Sequence, residues 1–132
     1  MSFLLQTIDQ VPGARTVAGP RLSFRVGQVT AREIVSARVR AEVERHNGDL
    51  ERAATRGGVQ PGAEEHALNA PPRARSRLLD AESQIEVALE AIRRGRVLIL
   101  FNGEQVTDLD APLLVTPVSE ARFIRLVPLV GG

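Results

Sequence analysis

Residues 96–106 read RVLILFNGEQV. One arginine is followed by five apolar residues, then Asn102-Gly103, then a polar return. An apolar run of this length, closed by a turn dipeptide, is an interior strand rather than a half-exposed one. Asn-Gly is the strongest short hairpin signal, because a tight two-residue turn needs positive φ at both central positions. The spacing therefore predicts a strand over 96–101 that returns through 104–106. Everything else in the chain has to pack around this buried strand.

Downstream, LDAPLLVTP (109–117) reads as a short edge-like strand interrupted by Pro112, and ARFIRLV (121–127) as the last strand, with Ile124 and Leu126 on one face. Pro128 has no N–H, so regular pairing on its side stops there. The closing LVGG, 129–132, is expected to be a flexible extended tail. Upstream, DAESQIEVALEAIRRG (80–95) places Ile85, Ala88, Leu89 and Ile92 at i, i+3, i+4 and i+7, the stripe of an amphipathic helix, and Gly95 stops it.

Nearer the start, FLLQTI (3–8) reads as a strand, and RLSFRV (21–26) alternates Leu22, Phe24 and Val26 against Arg21, Ser23 and Arg25. Pro12, Gly13, Gly19 and Pro20 punctuate the connection, which predicts a hairpin with a loose turn. TARE (30–33) is a capping box, in which Thr30 accepts from the N–H of Glu33 and Glu33 reaches back. It opens a helix buried along Ile34, Val35, Val39 and Val43, and His46-Asn47-Gly48 is expected to end that helix. The stretch from about 47 to 80, with Gly-Gly, Pro-Gly and Pro-Pro pairs, is far longer than a usual connection of about 4–6 residues. It is either an insertion with a job or a mobile loop; its segment is not low-complexity and Leu68 could anchor it, which favours a partly ordered insertion packed on the domain.

Composition lends no support to several classes, nucleic-acid binding among them. Charged residues make up 25% and the net charge is +1, so no bulk field draws the chain to nucleic acid or to a membrane surface. There is no cysteine, no signal pattern in MSFLLQTIDQ, and no apolar run near the roughly 20 residues of a membrane helix. A cytoplasmic location is the expectation. All 17 basic residues are arginine, so the N-terminal amine is the only acyl acceptor of its kind on the chain. His46 and His66 stand far apart and suggest surface or capping roles rather than a metal site, and none is proposed. Arg93, Arg94 and Arg96 gather at a helix end, where they favour the helix dipole. Phe123 and Arg125 fall on one face of the last strand. They form either a docking surface on the face away from the helix or a patch covered by the insertion.

The order is strand, strand, helix, insertion, helix, strand, short strand, strand, tail, an α+β arrangement with helices on one sheet face. With NGEQV after an apolar strand and a closing RLVPLVGG, the chain resembles the ubiquitin-like β-grasp family, above all its prokaryotic branch. That branch includes bacterial ubiquitin-like modifiers and the related molybdopterin synthase small subunit and thiamine sulfur carrier proteins, which end in a similar apolar-Pro-x-x-Gly-Gly tail. The specific likeness covers about residues 96–132. The chain departs from a minimal β-grasp between about 47 and 95, and PVSEA (117–121) replaces the acidic-Gly-Asp turn of the small carriers.

The resemblance implies one β-grasp domain over 1–128, with a mixed sheet of four or five strands and an insertion and second helix before the third strand, followed by the 129–132 tail. It also implies a function. A C-terminal carboxylate, with a pKa near 3.3–3.7, is ionised at neutral pH and resists nucleophiles until it is activated. In the family, a partner enzyme adenylates it with ATP and passes the acyl group to sulfur or to an amine. Gly131 and Gly132 would be the activated end, since a chain without Cβ atoms threads a narrow channel. Pro128, Leu129, Val130, Phe123 and Arg125 would dock partners. Those partners would be an activating enzyme, a conjugating enzyme, a metalloprotease-type deconjugating enzyme and protein targets. The chain itself would be no enzyme, with no catalytic residue and no bound cofactor. The size of the insertion favours a protein modifier; the alternatives are a sulfur carrier with a thiocarboxylate at Gly132 and a β-grasp interaction module that is never activated.

Overall fold

In the computed structural model, which describes residues 2–57 and 78–126, the Asn102-Gly103 turn takes φ of 51° and 87°. Both values are positive, as the hairpin requires. The turn joins β4, Val97–Phe101, to the two-residue β5, Glu104–Gln105. Asn102 also reaches outside its hairpin: its N–H donates to the carbonyl of Glu120 at 2.9 Å, and its side-chain oxygen accepts from the Glu120 N–H at 3.0 Å. It thereby fixes the start of the last strand, β7, Glu120–Arg125.

β7 runs antiparallel to β4, with Ile99 opposite Phe123, and parallel to β1, Phe3–Gln10. β1 pairs on its other side with β2, Val17–Phe24, Leu5 facing Leu22. The mixed five-stranded sheet thus has the order β2-β1-β7-β4-β5. An order that puts the first and last strands side by side at the centre is compatible with a β-grasp. The sequence did not suggest the second, two-stranded sheet, in which β3, Gln28–Thr30, pairs antiparallel with β6, Pro112–Leu114. Pro112 begins β6, where its missing N–H is tolerated.

Two helices supply the other layer. α1, Ala31–Gly57, opens at the expected capping box: the Thr30 N–H donates to a Glu33 carboxylate oxygen at 3.1 Å, and the Glu33 N–H donates to the Thr30 hydroxyl at 3.1 Å. α2, Ala81–Arg93, starts on Asp80, whose carboxylate accepts from the Ser83 N–H at 3.0 Å, and ends where Gly95 takes a φ of 72°. Hydrogen bonds from the Ser83 side chain and backbone hold the Asp80 carboxyl below its ordinary range. Ile34 and Val35 of α1, Ile85 and Leu89 of α2, and Leu5, Ile99, Ala121 and Phe123 of the sheet belong to one buried cluster. Both helices therefore pack on the same sheet face.

The chain course differs from expectation in two further places. His46-Asn47-Gly48 does not end α1, which continues to Gly57 and takes up the first part of the expected insertion. A glycine inside a helix costs about 1 kcal/mol relative to alanine. Asn47 offsets that cost by bonding the start of α2 rather than breaking its own helix: its amide accepts from the Leu79 N–H at 2.8 Å and donates to the Leu79 carbonyl at 3.1 Å. The alternating strand near Arg21 starts earlier and stops sooner than 21–26, so Gly19 and Pro20 lie inside β2, and Val26 lies beyond its end at 59% exposure. The remaining insertion, with Leu68 and His66, lies outside the described residues.

Gly19 has a packing reason. Fully buried Thr7 donates its hydroxyl to the Pro20 carbonyl at 2.6 Å, and a Cβ on Gly19 would stand 2.5 Å from that same oxygen. The hydroxyl is held between two strands and has little room to retreat. Gly19→Ala is expected to destabilise the fold by about 1–3 kcal/mol, the usual cost of overpacking. Adding Thr7→Ala should recover part of that loss. Urea denaturation of the four members of this mutant cycle checks it, and additive effects would count against the clash.

Candidate functional site

The site suggested by the sequence is the end of β7 and the segment that leaves it. Gly131, Gly132, Pro128, Leu129 and Val130 lie outside the described residues, which stop at Leu126. Leu126 is tied to the fold by its N–H, which donates to the Arg96 carbonyl at 3.0 Å. The chain therefore leaves the sheet beside the first residues of β4, with Arg96 and Arg125 both exposed at this corner.

Phe123 is not on the face away from the helices. It is 9% exposed and belongs to the core, and the Arg38 guanidinium of α1 lies 4.5 Å from its ring centre. The physical reason is phase. Alternation along β7 assigns Ala121 and Phe123 to one face and Arg122 and Ile124 to the other, but it does not say which face the helices cover. Phe123 therefore gives partners no free surface from the outer face, whereas Arg125, on the same side of the strand, remains exposed beyond the covered region.

Arg38 is the residue the sequence reading missed. Its side chain is 10% exposed and pairs with Asp9 of β1 and, at 2.9 Å, with Glu42 one helical turn on. Burial opposes its charge, but the hydrogen bonds to Asp9 and Glu42 outweigh it and raise the guanidinium above its ordinary value. A signal was present: Arg38 interrupts the apolar series Val35, Val39, Val43 on the buried stripe of α1, and a charge in such a stripe requires a buried partner.

Beside this cluster runs a groove of about 480 Å³ between α1, α2 and the ends of β4 and β7. Val35, Val43 and Phe123 form its buried part, with Val39, Ala88 and Ile92 on its half-buried walls. His46 lines it as well. Among the described residues, no three of the His, Cys, Asp or Glu side chains are grouped to hold a metal ion. Arg93 and Arg94 both pair with Glu90, a surface arrangement that holds the Glu90 carboxyl below its ordinary range, mainly through its hydrogen bond to Arg94.

The opposite sheet face is uncovered by the helices. Ile8, Leu98, Leu100 and Ile124 are half-buried on it, with Leu98 opposite Ile124, and Leu4 and Leu126 stand at its margins at 50% and 43% exposure. Arg122 crosses this strip, donating to the Gln10 amide oxygen at 2.9 Å and pairing with Glu120 at 3.3 Å. Among the described residues no helix is long and apolar enough to cross a membrane. Comparison with protein-family models, with curated proteins and with solved structures finds no match for this chain.

Proposed function

We propose that the chain is a ubiquitin-like protein modifier of the bacterial type, whose Gly132 carboxylate is adenylated by a partner enzyme and joined to amines of target proteins. The observation that carries this reading is the pairing of two features: a mixed sheet with parallel first and last strands at its centre, and a last strand that runs directly into Leu126 and the VPLVGG segment. In this reading the fold holds β7 rigid from both sides and presents the VPLVGG segment to the activating enzyme, while ATP, nucleophiles and bases belong to the partners. Arg125 and the uncovered strip around Leu98, Ile124 and Leu126 give those partners a surface next to the exit point. An activated acyl end on a chain with no lysine and no cysteine has no side-chain acceptor of either kind on itself.

The test is mass spectrometry of tagged protein recovered from its native host. An amide from Gly132 to another protein establishes the modifier. A thiocarboxylate at Gly132 establishes a sulfur carrier instead, and an unmodified acid in the presence of the activating enzyme leaves only an interaction module.

A further inference from the structure

We propose that the groove between α1, α2 and the ends of β4 and β7 is a binding site for a small amphiphilic carboxylate, an aliphatic acid whose chain lies along the groove and whose carboxylate meets Arg96 and Arg125. The proposal uses no residue past Leu126 and stands whether or not Gly132 is ever activated.

Size and lining come first. At about 480 Å³ the groove lies within the roughly 300–1,000 Å³ range of small-molecule sites, which are mostly apolar with a few convergent polar groups. Its apolar lining is valine, leucine, alanine, isoleucine and Phe123, with Arg38 lying over the Phe123 ring. Val87 on its rim is 64% exposed, so apolar surface continues to the mouth.

Charge decides the class of ligand. The groove has two acidic residues, Asp9 and Glu42, and both are engaged by Arg38. Arg96 and Arg125 also line it, and neither has a carboxylate within ion-pair distance among the described residues. Both sit at one end. Arg125 is the register partner of Val97, and the Arg96 carbonyl accepts from the residue after Arg125. The groove is therefore an apolar trough with two guanidinium groups at one mouth, matched to a carboxylate and unfavourable to a cation.

Backbone accounting favours an aliphatic chain over a peptide. The groove is lined by α1, α2 and parts of β1, β4 and β7; the helices bond their own backbones, β7 is paired with β1 through Ile124 and with β4 through Arg125, and β5 covers only Leu100 and Phe101 of β4. Most of the backbone facing the groove is therefore bonded already. A peptide laid in the groove would bury amides that find few partners there, whereas a hydrocarbon chain has none to satisfy.

Isothermal titration of the full chain with decanoate is expected to give saturable 1:1 binding, at least roughly tenfold tighter than decylammonium, the difference expected from a charge-assisted contact against a repelled charge. Arg96→Glu combined with Arg125→Glu, both at exposed positions, should weaken decanoate by a similar factor without loss of far-UV circular dichroism. Ala91→Phe, on the groove wall, should abolish it by occupying the space. Absence of saturable binding, equal binding of decylammonium, or decanoate binding that survives the double arginine substitution would each overturn the assignment.

Discussion

A chain truncated after Val130 is expected to unfold at the same urea concentration as the full chain and to yield no conjugate and no thiocarboxylate. The two halves of this expectation have different origins. The two residues removed are glycines with no side chain to bury, and changes that remove no packed side chain usually alter stability by no more than about 0.5 kcal/mol. Product is lost because the truncated chain ends in the carboxylate of Val130, a β-branched residue in place of the two residues without Cβ atoms that thread a narrow channel to the activating enzyme. Cells expressing the truncated chain, probed for the tag by immunoblot and mass spectrometry, supply the readout. Full product from the truncated chain would remove both the modifier and the carrier and leave an interaction module.

The second large effect concerns Leu5. It is fully buried in the interior strand β1, whereas Leu4, its neighbour in sequence, points to the other face and is 50% exposed. Leu5→Ala removes a side chain from the shared cluster of both helices and the sheet and leaves a cavity, at a cost of about 2–5 kcal/mol. Against a total stability of about 5–15 kcal/mol, that is a large fraction. Leu4→Ala should cost well under half as much. Chemical denaturation of the two variants, identical in chemistry and adjacent in sequence, measures the register of β1 directly. Equal losses would mean that β1 does not alternate as described, since a slip of one residue exchanges the two faces.

The elements legible in the sequence were those whose signal is local. Asn102-Gly103 needs only its own two φ angles, the Thr30 and Glu33 box closes within one turn, and the stripe Ile85, Ala88, Leu89, Ile92 belongs to one helix. Features decided by distant partners were not legible. Asn47 reads as a helix terminator until Leu79 is placed beside it, and β3 and β6 are three-residue strands that exist through pairing with each other across the fold. The face of Phe123 depended on which side of the sheet α1 and α2 cover, which no residue of β7 records. The candidate site divides the same way. The VPLVGG segment is a property of sequence, whereas the groove is assembled from α1, α2, β4 and β7 and has no motif to announce it.

The parallel pairing of β1 with β7 also sets an order of events. Arg122 and Gln10 meet across 112 residues of chain, and the strand at the middle of the sheet is the last of the described elements to leave the ribosome. Until then the β1–β2 hairpin exists without its central neighbour, and an isolated hairpin is marginal in water. Closing so long a loop adds little to the free-energy cost, which grows only with the logarithm of its length, but contacts this remote in sequence are slow to find. The delay is therefore kinetic: β1 must hold an open edge while every other described element is made, and the sheet closes from the outside in.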